Sequence, residues 1–163
     1  MSCIPSLSVP RSLAGAVVAA WILAAAASAE AQVGFGVRAG VSADPDQFVF
    51  GAHYNSKPLF DHLNFRPNAD VGVGDDRTTF TANFEFAYWI PIQKKPWSVY
   101  VGGGPALVVY HHGDNSGDAG HTDTEPGFNL LVGFAHRGGL FAEVKAGLID
   151  SPAVKFVIGY TFR

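Results

Sequence analysis

The sequence predicts an all-β chain, an eight-stranded antiparallel up-and-down barrel, and three observations predict it. Apolar and polar residues alternate with a two-residue period over eight separate segments. Within those segments large aromatic side chains gather on one face, and glycines and charges gather on the other. Totals agree: 19 glycines and 13% aromatic residues accompany only 15% charged residues, where about 25% is usual.

Length and charge narrow the classes. The 163 residues suit one domain. Lys and Arg number 11 against 14 Asp and Glu, a balance that argues against a general nucleic-acid binder. Arg11 precedes the apolar run Leu13 to Ala27, and two small-x-small sites follow, Ala27-Ser28-Ala29 and Ala29-Glu30-Ala31. That order predicts a secretory signal peptide over residues 1–31 and a barrel over 32–163. Cleavage after Ala29 or Ala31 fits equally. An uncleaved anchor is the rival, but the run is shorter than the roughly 20 residues a spanning helix needs. Cys3 lies before the apolar run, so it is not an acylated lipoprotein cysteine. The mature chain then has no cysteine, and disulfides cannot stabilise it.

The strands follow in order. Val33 to Ser42 puts Val33, Phe35, Val37, Ala39 and Val41 on one face, with Arg38 and three glycines opposite. Gln47 to Tyr54 sets Phe48, Phe50 and Tyr54 against Gln47, Val49, Gly51 and His53. Leu63 to Gly74 sets Leu63, Phe65, Val71 and Val73 against Asn64, Arg66, Asn68 and Asp70, with Pro67 suggesting a bulge or a gap in the ladder. Thr79 to Ile90 sets Phe80, Phe84, Phe86 and Tyr88 against Thr81, Asn83, Glu85 and Ala87. Trp97 to Tyr110 sets Trp97, Val99, Val101, Leu107 and Val109 against Ser98, Tyr100, Gly102 and Gly104. Phe128 to Ala135 sets Phe128, Leu130, Val132 and Phe134 against Asn129, Leu131 and Gly133. Gly139 to Leu148 sets Leu140, Val144 and Leu148 against Phe141, Glu143, Lys145 and Gly147. Val154 to Phe162 sets Phe156, Ile158, Tyr160 and Phe162 against Lys155, Val157 and Gly159. Even closure removes exposed edges.

Size decides which face is outside. An eight-stranded barrel is only just wide enough inside for side chains, and so many large rings would overpack it. Glycine gains nothing on a wet outer face, but inside it leaves room for large neighbours. The apolar face therefore points outward, against lipid, and the lumen is polar. Its expected charges are Arg38, Arg66, Asp70, Glu85, Glu143, Lys145 and Lys155. A lipid-facing Lys or Arg at the midplane would cost about 2–4 kcal/mol, whereas inside these residues can pair. Which residues pair is not readable at this level. Aromatic residues near strand ends, Tyr54, Tyr88, Trp89, Trp97, Tyr160 and Phe162, suit an interfacial girdle. The longest connection, His111 to Gly127, falls on the side expected to be extracellular. It carries His111, His112, Asp114, Asp118, His121 and Asp123, a candidate surface for an unknown extracellular partner.

This pattern resembles the small bacterial outer-membrane β-barrels, the OmpA-type transmembrane domain and OmpX-like proteins. It rests on the leader, the eight alternating strands and the final VKFVIGYTF with Phe156, Tyr160 and Phe162. The resemblance implies an outer-membrane location in contact with lipid and lipopolysaccharide. It also implies that the last strand is read by the barrel-assembly machinery, although Arg163 follows Phe162 here.

Chemistry is sparse. The His and Asp residues of the His111–Gly127 segment supply the types an acyltransferase or a metal site needs, but in a Gly-rich stretch with no fixed spacing. No cofactor or metal is expected. Gly102-Gly103-Gly104 lies within a strand pattern and lacks the Lys and following helix of a phosphate loop. The expected function is a non-enzymatic integral outer-membrane barrel with a plugged lumen. A soluble lipocalin-like barrel for a hydrophobic ligand and a lipid A-modifying enzyme are the alternatives.

Overall fold

The computed structural model describes residues 32–74, 77–112, 122–149 and 152–162; the expected signal segment lies outside them. Among the described residues every regular element is a strand: β1 (Gly34–Ala43), β2 (Gln47–Asn55), β3 (Pro58–Phe60), β4 (Leu63–Val73), β5 (Arg77–Pro91), β6 (Trp97–His112), β7 (Thr122–His136), β8 (Leu140–Ile149) and β9 (Val154–Thr161). All pairings are antiparallel between chain neighbours, except that β1 pairs with β9 and β2 skips β3 to pair with β4. These two pairings close the sheet into an eight-stranded barrel. β3 is an addition the sequence pattern did not disclose. It is a three-residue ribbon on β4, with Pro58 opposite Asn64 and Phe60 opposite Leu63.

Closure satisfies backbone hydrogen bonds between strands and leaves two faces. The outer face is apolar: Phe35 is 72% exposed and Phe48 67%, with Phe50, Phe84, Val132 and Ile158 all open. The inner face is polar, and its glycines lie under large neighbours. A Cβ at Gly133 would sit 2.0 Å from Tyr100 Cζ, and one at Gly51 would sit 2.1 Å from Asp70 Oδ1. Gly159 is placed likewise under Phe141, and Gly36 under His53. Each is the cross-strand partner of the residue it accommodates. Gly147 marks a register shift in β8, between the pairs Phe128–Ile149 and Asn129–Gly147.

Pro67 does not break the ladder to β5, which runs through it opposite Phe84. The ladder from β2 to β4 ends at His53–Asn68, just short of it. Proline has no N–H to give to a second neighbour.

The long connection is shorter than the sequence suggests. β6 runs on to His112 and β7 starts at Thr122, so the expected loop from His111 to Gly127 is strand at both its ends, over 111–112 and 122–127. Thr122, Thr124 and Pro126 alternate with Asp123, Glu125 and Gly127, and the edge of β6 offers them a continuous ladder from His111–Thr122 onward. Available pairing overrides loop-like composition.

The connections define two ends. The proximal end holds residue 32, Phe162 and the segments 56–62, 92–96 and 137–139. The distal end holds the connections after β1, β4, β6 and β8.

Candidate functional site

The centre of the molecule is the charged lumen. The seven charged residues assigned there from the sequence are all buried and converge in one network. Parity puts them there: each sits on the inward phase of its strand. The spacing round the ring then decides partners. Arg38 of β1 grips Asp70 of β4 through both carboxylate oxygens, Nε to Oδ1 and Nη2 to Oδ2, each at 2.6 Å. Lys155 of β9 donates to the same Oδ2 at 3.0 Å. Lys145 of β8 donates to Glu85 Oε1 on β5 at 2.6 Å. Arg66 of β4 pairs with Glu143 of β8, and these two strands stand diametrically opposed in the ring. Glu143 also lies 3.6 Å from Arg38 and from Lys145.

Amides extend the network. Asn68 donates to Glu85 Oε2 at 2.7 Å, Asn83 to Asn68 Oδ1 at 2.7 Å, and Asn129 to Asn83 Oδ1 at 2.7 Å. Four cations against three carboxylates leave one positive charge in the lumen. Oxygens from the amides share that surplus, as buried charge requires.

Toward the proximal end the lumen turns aromatic. Trp89 stacks on Tyr100 at 4.5 Å, and Tyr100 Oη donates to Glu143 Oε2 at 2.8 Å. The Arg66 guanidinium lies 5.0 Å from the Tyr100 ring and 4.8 Å from the Phe141 ring, a cation held between two π faces. His53 meets Phe141 edge-on at 5.0 Å and bonds Thr161 Oγ1 at 3.0 Å. Trp89 Nε1, Asn64 Oδ1, Asn55 Oδ1 and Arg66 Nε are buried here without a protein partner. Such atoms are where ordered water completes a polar interior.

Trp89 corrects the sequence expectation. Placed there with the outer girdle, it faces inward and is 2% exposed. The strand alternates strictly from Phe80, so Tyr88 and Trp89 cannot share a face. The parity was readable; proximity to a strand end was the misleading cue. Tyr100 and Phe141 also lay on the inward phase, but their roles around Arg66 depend on strands distant in sequence.

The other girdle residues line the outside of the proximal end. Tyr54 packs on Phe35 at 4.8 Å, Trp97 on Phe134 at 4.6 Å, and Tyr160 on Phe162 at 5.4 Å. Tyr88 meets His62 at 5.9 Å. The distal half of the outer face carries phenylalanines such as Phe48, Phe80 and Phe156 instead. Among the described residues the outward Tyr and Trp thus form one ring, at one end.

The candidate surface segment is divided. His111 and His112 end β6, and Asp123 is the second residue of β7. His111 Nδ1 lies 3.2 Å from Thr122 Oγ1. Asp114, Asp118 and His121 lie outside the described residues. Among the described residues, no three His, Cys, Asp or Glu side chains converge as a metal set.

Two solved structures share this architecture. The N-terminal β-barrel domain of Pseudomonas aeruginosa OprF superposes with a TM-score of 0.57 at 13% identity, covering 78% of this chain and 96% of that one. Neisserial surface protein A superposes with a TM-score of 0.58 at 13% identity, covering 78% and 94%. No family model and no curated protein matches the chain. At that identity the likeness is one of fold.

Proposed function

We propose that this chain is a non-catalytic integral barrel of a bacterial outer membrane, closed through its middle by its own side chains. It would strengthen the envelope or present its distal end to a partner outside the cell. One observation carries the reading: the apolar and charged faces are inverted relative to a water-soluble barrel. Phenylalanines face outward while the charged network lies inside.

The dimensions support it. On β6 the outward apolar residues run from Trp97 to Val109, roughly 40 Å of strand at about 3.3 Å per residue. At a tilt of about 40° this rises roughly 30 Å, comparable to the apolar band of such barrels. The Arg66–Glu143 tie crosses the lumen between opposite strands, and the bidentate Arg38–Asp70 pair reaches from β1 over Gly51 of β2 to β4, which supports a plug rather than an aqueous channel. The outward Phe156, Ile158 and Tyr160 on β9 supply the apolar final strand that the barrel-assembly machinery would read. One of the two solved neighbours is itself named a surface protein.

Cell fractionation, followed by electrophoresis of unheated and boiled detergent extract, tests the reading. The expected result is a band in the outer-membrane fraction that changes mobility on boiling. A soluble band with no shift would overturn it, and the search would turn to hydrophobic ligands of a soluble barrel.

A further inference from the structure

The two ends of the barrel carry opposite charge. Exposed at the proximal end are Lys57, Lys94, Lys95 and Arg137, with Asp61 as the acid among them. At the distal end Asp44 and Asp46 are exposed and Asp123 and Glu125 half-buried, against Arg77. The lumen holds the remaining charges of the strands, so this separation belongs to the rims.

The proximal cations are arranged, not scattered. Lys94, Lys95 and Arg137 line a recess of about 470 Å3 with Gln93, between the turn that joins β5 to β6 and the turn that joins β7 to β8. Arg137 N donates to Pro96 O at 2.7 Å, which ties the two turns together. Lys95 N donates to Ile92 O at 3.1 Å and closes the first turn. Lys94 holds φ at 59°, a backbone region that non-glycine residues adopt uncommonly. Trp97 follows two residues after Lys95, and His136, next to Arg137, packs on it at 4.6 Å. The recess therefore adjoins the ring of Tyr54, Tyr88, Trp97 and Tyr160. Leu59 and Phe60, the latter 75% exposed, stand beside Lys57.

From the belt outward the order is apolar side chains, then amphipathic rings, then cations. Across a lipid leaflet the order is tails, interface, then phosphates. An acidic protein would satisfy the charge but not the ring of Tyr and Trp directly above it. We propose that the proximal end is a docking surface for anionic phospholipids, with a headgroup phosphate seated among Lys94, Lys95 and Arg137. This rests on the membrane reading above.

Trp97 is a reporter at the site, and Trp89, sealed in the lumen, is a constant background. The mature chain is folded into vesicles of phosphatidylcholine with a minor share of phosphatidylglycerol. Bromine is placed on the phosphatidylglycerol in one set, and on an equal share of the phosphatidylcholine in the other. Quenching of Trp97 should be several-fold stronger in the first set. Lys94→Gln with Lys95→Gln should bring the two sets level while the heat shift of the same sample is kept. Equal quenching by the two labels in a heat-shifting wild-type barrel overturns the lipid assignment and leaves the membrane reading standing. No heat shift overturns both. Loss of the preference on adding inorganic phosphate at constant ionic strength would make the recess a free-anion site, and overturns the phospholipid assignment too.

Discussion

Phe84 and Glu85 are neighbours on β5, and the barrel sends them into opposite surroundings. Phe84 points outward, 51% exposed, and Glu85 points inward, fully buried against Lys145 and Asn68. A soluble globular protein places such a pair the other way round. Burial and apolarity are therefore separate properties here, and the two faces are stabilised by different physics. On the proposed membrane reading, the outer face gains by transfer of large side chains into an apolar phase. The inner face gains only if its charges satisfy one another, because desolvated charge is costly when unpaired.

The largest test of that contrast is Glu143→Ala. It removes the acceptor of Arg66 and Tyr100 and the 3.6 Å neighbour of Arg38 and Lys145. Arg66 would remain between two rings without a counter-charge. The expected loss is about 3–5 kcal/mol, read by urea unfolding of the barrel in bilayers. A loss below about 1 kcal/mol, the size of a surface pair, would mean that water screens the lumen charges, and the contrast between faces would collapse.

On the other face, Phe84→Arg puts a cation mid-belt and should cost about 2–4 kcal/mol. Thr124→Arg, outward on β7 near the distal rim, should cost about 0–1 kcal/mol in the same assay. Equal costs at the two depths would remove the apolar slab from the account.

A further change, milder than the loss of Glu143, sharpens the inner face alone. Tyr100→Phe deletes the hydroxyl that donates to Glu143 at 2.8 Å and leaves the stack on Trp89. A hydrogen bond to a charged group contributes about 1.5 kcal/mol, so unfolding stability should fall by about that much. An unchanged midpoint would assign Tyr100 a packing role only.

How far these features were legible depends on their range. The inward phase of Arg38, Arg66, Asp70 and the other lumen charges was readable because a strand has two faces and each residue must take one. The same rule, applied to Tyr88 and Trp89, would have put the indole inside; a strand-end cue displaced it. Thr122 to Gly127 was not legible as strand, since Thr, Asp, Glu, Pro and Gly read as a loop until β6 is known to extend alongside. β3 was hidden for a like reason: Pro58–Phe60 pairs only because β4 turns back past it.

Taken alone, the chain's alternation determined the fold class, the face of each side chain and the polarity of the interior. These are local properties, set by a two-residue period and by the size of the rings. The tertiary structure decided who meets whom. Arg66 and Glu143 lie 77 residues apart and touch because closure sets β4 opposite β8. It also decided that Lys57, Lys94, Lys95 and Arg137 share one rim and Asp44, Asp46, Asp123 and Glu125 the other. Both depend on registers accumulated around a closed ring, and no single strand carries that information.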